Sequence, residues 1–484
     1  MNHDAEIAVV GAGFAGTGLA MQLLRRGYKD FLLLERAADV GGIWRDNLYP
    51  GCACDIPSML YSFSFAPSRD WTRRFPSRDE IWEYLRARAR EPELRSRLRL
   101  QAELREARFD DEDCSWQLKL ADGSTLRTRF LVLATGALNR PKWPEIAGLE
   151  CFTGARVHSS AWTERLEVRD RDVAVVGTGA SAVQIVPEVA RLARRLTVYQ
   201  RTPAWVMPRG DRPVSALRRG ARRWIPGFAA FERTAVYWSL EARAYGFVTN
   251  PDANALAERF ALAHLRRQVA DPELVRRLTP AYRLGCKRVL LSDDFYPALC
   301  RENVELVTDP IDRVRERSIV SAGVERRADA IVCATGFTAT EPLAGVRVAG
   351  SRGRELAEAW SSGMHAYLGS SVAGFPNLFF IVGPNTGLGH NSMVLMMEAQ
   401  YRYVLSALDA VHRRSARAID VDAGVQSRFN AELQRRMDRT VWKTGCGSWY
   451  LDASGKNTTL WPGFSFAFAA ATRHVHEDRY RFVR

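Results

Sequence analysis

No stretch of this sequence comes near the ~20 consecutive apolar residues that cross a bilayer. The longest run toward the end, 462–471 (PGFSFAFAAA), is half that length, and its Phe and Ala content reads as buried core. No membrane span is expected. The apolar pattern of a first strand is under way by Ile7, so no secretory leader is expected. Cysteine is sparse: eight residues, at 52, 54, 114, 151, 286, 300, 333 and 446, in 484 positions. That spacing is no disulfide framework, and reduced thiols in a cytoplasmic protein are expected. The nearest pair, Cys52 and Cys54, is a CxC rather than the CxxC or CxxxxC of redox-active pairs. Ligand clusters with metal-binding spacing are missing too, so no metal is expected. Zinc motifs, recognition helices and aromatic-interleaved basic blocks are absent, so the formal charge of +14 does not point to nucleic acid. The arginines are scattered over expected helices such as 192–195 and 218–223. They read as a solvated surface, with anionic cofactors or substrates taking a share of the charge.

What is present describes a globular protein. The 46% apolar and 26% charged residues are ordinary for one. At 484 residues the chain exceeds a single core, so two or three domains are expected.

Residues 7–10 are a short apolar run, the pattern of a buried parallel strand. A glycine turn follows at 11–16 (GAGFAG), where Gly11, Gly13, Phe14, Ala15 and Gly16 open an apolar-periodic helix through Leu24. The glycines serve the tight turn, backbone approach to a pyrophosphate, and close helix–strand contact. The helix N-terminus supplies amides and a positive dipole end. A second strand, 31–34, ends in Glu35, placed to accept bonds from ribose hydroxyls. A bound dinucleotide is expected here.

Residues 41–55 (GGIWRDNLYPGCACD) contain Gly42, Trp44 and a closing Asp55, and form neither helix nor strand. Their aromatic area suits packing against a flat ring such as an isoalloxazine or nicotinamide. The plainer alternative is a loop anchored by its aromatics, with Asp55 as a cap. A helical pattern runs over 79–85, a hairpin insert of two or three strands over 98–122, and a buried strand over 130–134. That strand ends in Ala134-Thr135-Gly136.

A second turn stands at 177–182 (GTGASA) behind the strand pattern 172–176, with Thr178, Gly179, Ala180 and Ser181 at its mouth. The following strand, 196–199, ends in Gln200, Arg201 and Thr202 where the first unit has Glu35. An acid there would repel a 2′-phosphate, whereas an arginine forks onto it, so NADP is expected over NAD. The alternative is that Arg201 pairs with a surface carboxylate. Residues 203–280 lose the alternation and read as a helical insertion rich in Arg and Trp. The stretch 282–296 (YRLGCKRVLLSDDFY) sets Lys287 and Arg288 beside a turn. A buried strand, 329–334, then closes in a second Ala-Thr-Gly, at Ala334. After 379–382 come a glycine-rich turn, 383–391 (GPNTGLGHN), a helix through Val411, and a Trp- and Gly-rich tail.

Between the two turns lies 152–163 (FTGARVHSSAWT), with Gly154, His158 and Trp162. By itself it is a hinge packed by one aromatic and one bonded histidine. With the other motifs it resembles the linker fingerprint of the Baeyer–Villiger monooxygenases, Phe-x-Gly-x-x-x-His-x-x-x-Trp. Residues 41–55 resemble that family's Gly-Gly-x-Trp, Tyr-Pro-Gly and closing Asp. The likeness covers nearly the whole chain. It departs at Thr163, where the fingerprint usually closes with Pro or Asp.

The resemblance implies an α/β fold with two Rossmann-like dinucleotide-binding domains, for FAD and for NADP, and a helical insertion in the second. The FAD domain is expected at 1–145 and 340–484, the NADP domain at 146–339, and the insertion at about 204–281. The implied activity uses NADPH and O₂ to insert one oxygen beside a ketone carbonyl through a peroxyflavin, giving an ester or lactone. That anion needs a fixed cation, and guanidinium keeps its proton. Arg288 matches the catalytic arginine and Asp55 the carboxylate beside it. Glu35 would hold the FAD ribose, and Trp44, Asp55, Ile56 and Tyr61 would lie along the flavin. Arg201, Thr202 and Lys287 would take the 2′-phosphate, and residues 178–181 the NADP pyrophosphate. Gly154, His158 and Trp162 would form the hinge. Trp449, in 446–449 (CGSW), would belong to a mobile segment covering NADP. Three alternatives stay open. A sulfur- or nitrogen-oxygenating relative usually lacks the tryptophan at 162. A disulfide reductase needs a redox cysteine pair beside the flavin. A non-enzymatic NADP-binding sensor has no use for Arg288 and Asp55.

Overall fold

The apolar runs that precede the two glycine turns become the central strands of two sheets, and the turns leave those sheets at equivalent points. The computed structural model describes residues 3–341, 343 and 345–484. In the first sheet Ala5–Val10 lies between Phe31–Leu34 and Thr125–Leu133, parallel to both, with Ile7 opposite Phe31 and Phe130. Ala5–Val10, Phe31–Leu34 and the end of Thr125–Leu133 are Val- and Leu-rich and largely buried, as central parallel strands must be. Leu98–Arg99 extends one edge. On the other side the first half of Thr125–Leu133 pairs with the hairpin Leu104–Asp110 and Ser115–Leu120, and its last three residues pair with Leu378–Phe380. A strand from late in the chain thus completes a sheet begun by the first residues. The helix Phe14–Arg26 packs against the long helix Met393–Arg413, where Tyr401 donates its hydroxyl to the Phe14 carbonyl at 2.9 Å.

The second sheet has five strands, all parallel, in the order Val304–Val307, Arg195–Tyr199, Asp172–Val176, Ala330–Cys333, Ala155–His158. A two-stranded parallel pair, Val206–Met207 with Leu290–Leu291, pins both ends of the helical segment between them. That segment includes the helices Ala216–Trp224, Phe228–Glu241 and Ala255–Gln268.

The repeated Ala-Thr-Gly has a steric cause. Gly11 and Gly177 hold φ of +104° and +108°, a region that side chains other than glycine's resist. A Cβ at either would sit 2.6 Å from the carbonyl oxygen of Ala134 or Ala334. Each turn therefore abuts the end of its neighbouring strand.

The structure corrects four expectations. The stretch 41–55 is not free of helix, because Ile43–Asp46 makes one short α-helical turn behind Gly42. Residues 192–195 are not helical: the helix Ala182–Ala190 has ended, and Arg195 begins a strand. The stretch 462–471 is not wholly core, because the short helix Ser465–Ala471 buries Phe468 and leaves Phe466 47% exposed. Nor are all thiols free. Cys286 and Cys446 form a disulfide across a sequence separation of 160, with Cα atoms 6.2 Å apart. Both are buried among apolar side chains. Spacing cannot reveal such a pair, since only the packing of the insertion against the tail brings the two together. Among the described residues no helix is long and apolar enough to cross a membrane.

Candidate active site

Asp55 and Arg288 are 233 residues apart in sequence and meet as an ion pair. Arg288 directs Nη2 and Nε to the same Asp55 oxygen, Oδ2, at 2.6 and 2.8 Å, and turns Nη1 toward the Leu388 carbonyl at 3.4 Å. The Asp55 charge, outweighing burial, pushes the guanidinium still further above its ordinary range. It is a permanent cation. The side chains keep 26% and 29% exposure, so the pair borders open space instead of being sealed into the core. Tyr450 is buried beside it, and burial pushes its phenol up to about 12, so it stays protonated.

The loop carrying Asp55 is held by the second nucleotide unit. Gln184, on the helix Ala182–Ala190, accepts from the Tyr49 hydroxyl at 3.2 Å and donates to the Ala53 carbonyl at 2.9 Å. Its backbone carbonyl lies 2.8 Å from where a Gly51 Cβ would be. The Gly- and aromatic-rich stretch is therefore a clasp between two sheets, and Asp55 is its tip and no helix cap. Gln184 is a site residue that sequence reading missed, because a glutamine on a helix carries no spacing signal.

Trp44, Tyr61 and Phe14 form one aromatic wall. Trp44 donates Nε1–H to the Tyr61 hydroxyl at 3.1 Å, and Phe14 meets Tyr61 edge-on at 5.1 Å. Burial raises the Tyr61 phenol well above its usual range. Ile56 is buried nearby in the same cluster. At the first turn, Gly13 and Gly42 face one another with no side chain between: a Cβ on Gly13 would find nothing nearer than Gly42 Cα at 3.8 Å. Ala15 is buried, and a Cβ on Gly16 would lie 1.8 Å from the Gly11 carbonyl oxygen. Glu35 is buried, accepting from the Ala12 and Ala37 amides at 2.8 and 3.0 Å and from Arg45 at 3.1 Å. Arg45 is a further partner that the motif did not disclose. The amide-lined turn, the side-chain-free cleft and the aromatic wall suit a flavin dinucleotide.

At the second turn Gly179 and Ala180 are exposed, and no atom lies within 4 Å of a Gly179 Cβ position. Thr178 donates to the Thr202 carbonyl at 3.3 Å, and Ser181 is half-buried at the helix start. Arg201 is exposed, and neither it nor Lys287 has an ion-pair partner among the described residues. The Lys287 amine is pushed down, first by burial and then by the nearby Arg201 charge. Two cations repelling each other with no acid between them form a cradle for a polyanion, which suits the phosphates of NADP.

The linker is tied to the same unit. His158 is buried; Nε2 bonds the Gly336 carbonyl at 3.0 Å and Nδ1 meets Ser160 Oγ at 2.8 Å. Burial lowers its pKa, so it stays neutral. His158 ends a strand and Trp162 follows a single 3-10 turn, Ser159–Ala161, where it is buried. Gly154 permits close approach, its Cβ position lying 2.4 Å from the Asp329 carbonyl oxygen. Trp449 is the outlier. It is 45% exposed and touches its neighbour Tyr450, with ring centroids 4.4 Å apart.

Sequence reading also missed a buried polar knot under the 383–391 turn. Glu241, at the end of an insertion helix, is 1% exposed. It accepts from Asn391 Nδ2 at 2.8 Å and from the Ser465 amide and hydroxyl at 2.5 and 2.8 Å, and His390 Nε2 lies 3.4 Å away. Burial pushes its carboxyl up, but these donors outweigh it and hold the group down at about 2. A depressed acid stabilises the fold above its unfolded pKa and loses that contribution as pH falls through the folded one. Unfolding midpoints of wild type and Glu241→Gln should thus differ most above pH ~5 and converge toward pH ~2–3. A constant difference across that range would mean that the charge of Glu241 is irrelevant.

Residues 8–219 match the profile of the pyridine nucleotide-disulphide oxidoreductase family. Over 99% of its length the chain is 45% identical to a Baeyer-Villiger monooxygenase of Pseudomonas aeruginosa, covering 92% of that protein. It is 44% identical to a Baeyer-Villiger monooxygenase of Streptomyces coelicolor, covering 100% of this chain and 94% of that one. Its backbone is similar to the crystal structure of OTEMO in complex with FAD and NADP, with a TM-score of 0.91, 26% identity and 100% of both chains covered.

Proposed function

The chain belongs to the Baeyer–Villiger monooxygenases, and from that premise we propose how its own residues divide the reaction. It is an FAD- and NADPH-dependent enzyme that inserts one oxygen atom from O₂ next to a ketone carbonyl of a small molecule, giving an ester or lactone. When bound, NADPH supplies a hydride and FAD relays the electrons to O₂. Residues 1–145 and 340–484 hold the FAD, with Gly11, Gly13, Phe14, Ala15 and Gly16 at its pyrophosphate. Gly42, Trp44, Asp55, Ile56 and Tyr61 lie along its ring, and Glu35 takes the ribose. Residues 146–339 hold NADPH, through Thr178, Gly179, Ala180 and Ser181 at its pyrophosphate and Arg201, Thr202 and Lys287 at its 2′-phosphate. Gly154, His158 and Trp162 set how one unit faces the other, and Trp449 covers the NADPH. A cytoplasmic setting, where NADPH is held, belongs to the same proposal.

The Asp55–Arg288 pair carries the reading. Arg288 presents a cation that cannot lose its proton, on a side chain that keeps 26% exposure beside Asp55. Its task is to stabilise negative charge on the attacking oxygen and on the ketone oxygen as the carbonyl is attacked. Asp55 receives two N–H groups through one oxygen and so fixes the plane of the guanidinium without covering it. NADPH consumption measured against a panel of ketones, with products gaining the mass of one oxygen, tests this. Hydrogen peroxide as the sole product with every ketone would overturn it.

Arg201 decides the coenzyme. A charge-assisted bond to a phosphate is worth roughly 1.5–3 kcal/mol before screening. Arg201→Ala should raise the NADPH concentration needed for half-maximal rate about tenfold or more and leave NADH use nearly unchanged. Equal losses with both coenzymes would make Arg201 structural.

A further inference from the structure

The helices Ala216–Trp224 and Phe228–Glu241 form a hairpin on the outside of the insertion, and the side chains they give to solvent are largely apolar. Leu217 and Trp224, seven residues apart and hence on one face of their helix, are 85% and 78% exposed. Ile225 in the connecting turn is 55% exposed. On the second helix Phe231, Ala235 and Trp238 fall at i, i+4 and i+7, all exposed, with Phe231 at 70%. Trp238 reaches the exposed Phe466 at 6.3 Å between rings, and Phe466 stacks on Phe464. Single exposed apolar residues are ordinary, but a stripe this wide marks a surface that something covers.

Charge says what covers it. Between Ala216 and Glu241 the chain has five arginines and two glutamates. Both glutamates are buried: Glu232 is taken by Arg218 and Arg222, and Glu241 is turned into the 383–391 knot. Arg223 is exposed and without an ion-pair partner among the described residues, and Arg218 and Arg222 share the single Glu232, so the hairpin shows water net positive charge with aromatic or aliphatic side chains and no acid. A second copy seated on this face would set arginine against arginine. The complement is an anionic surface with an apolar interior. We propose that this hairpin docks the protein on an anionic lipid surface, with Leu217, Trp224, Ile225 and Phe231 entering the interface and the arginines meeting head-group phosphates. No described helix is long and apolar enough to cross a membrane, so the contact is peripheral.

The test sediments the FAD-loaded full chain with vesicles of phosphatidylcholine alone or mixed with one third phosphatidylglycerol. The protein should pellet with the mixed vesicles, stay in the supernatant with the neutral ones, and be released by salt. Trp224→Ser combined with Phe231→Ser should weaken binding about tenfold or more through lost apolar area, and Arg223→Glu should weaken it separately. Neither change should alter solution turnover: the second helix packs on residues 58–62 through Arg233, which donates to the Met59 and Ser62 carbonyls, whereas Trp224, Phe231 and Arg223 are exposed on the solvent side. Failure to pellet with anionic vesicles, or equal binding to neutral ones, overturns the proposal. So does unchanged binding by the serine double variant. A dimer in solution that the same variants break would assign the face to self-association instead.

Discussion

Replacing Arg288 with alanine should cut ketone oxygenation by a factor on the order of 10²–10³, the usual cost of losing a preorganised charge stabiliser. NADPH oxidation should continue at a slower rate, with the oxygen consumed appearing as hydrogen peroxide. The two halves separate because hydride delivery depends on alignment of the cofactors, whereas attack on the ketone needs a cation at the reacting oxygens. Asp55→Ala should give a milder form of the same defect: it frees two N–H groups of Arg288 without removing its charge. The competing role for Arg288 is phosphate binding, the role proposed for its neighbour Lys287. Stopped-flow absorbance distinguishes them by following reduction and then reoxidation in the presence of ketone. A variant that is reduced poorly but oxygenates normally once reduced, or one that turns over ketone near the wild-type rate, would remove Arg288 from the chemistry.

Gly13→Val should yield a colourless, folded, inactive protein. The backbone at Gly13 is ordinary, with φ of −81°, and its Cβ position meets no protein atom closer than 3.8 Å. The fold therefore has room for a Cβ, and the space the side chain enters is the gap facing Gly42. Gly16 is the control. Its Cβ would lie 1.8 Å from the Gly11 carbonyl oxygen, so Gly16→Val should fail to fold at all. Absorbance near the flavin bands, together with circular dichroism, separates the outcomes. A yellow Gly13→Val protein would show that the pyrophosphate does not pass this turn.

Sheet strands and glycine turns were legible in the sequence because both rest on local rules. Asp172–Val176 and Phe31–Leu34 stand where the apolar runs put them, and Ala5–Val10 and Arg195–Tyr199 only add residues at their ends. The pairing of Asp55 with Arg288 was readable only through the family likeness, since nothing local in either stretch names the other. Gln184, Glu241 and the Cys286–Cys446 bond were not legible by either route. Each is one side chain whose partner is chosen by how the insertion, the tail and the second unit pack. Residues 192–195 were misread because four residues of Leu, Ala and Arg have helix propensity but lie past the end of a helix, where the next strand claims the last of them.

The disulfide also acts as a leash. Arg288 lies two residues beyond Cys286 and Trp449 three beyond Cys446, and the bridged Cα atoms are 6.2 Å apart. Five residues of fully drawn-out chain at up to ~3.6 Å each then limit the Cα separation of Arg288 and Trp449 to about 24 Å. The tryptophan of the tail is carried on the same tether as the arginine. The bond shortens the covalent path between them from the whole intervening chain to those five residues, and a chain nicked anywhere from 287 to 445 stays in one covalent piece until it is reduced.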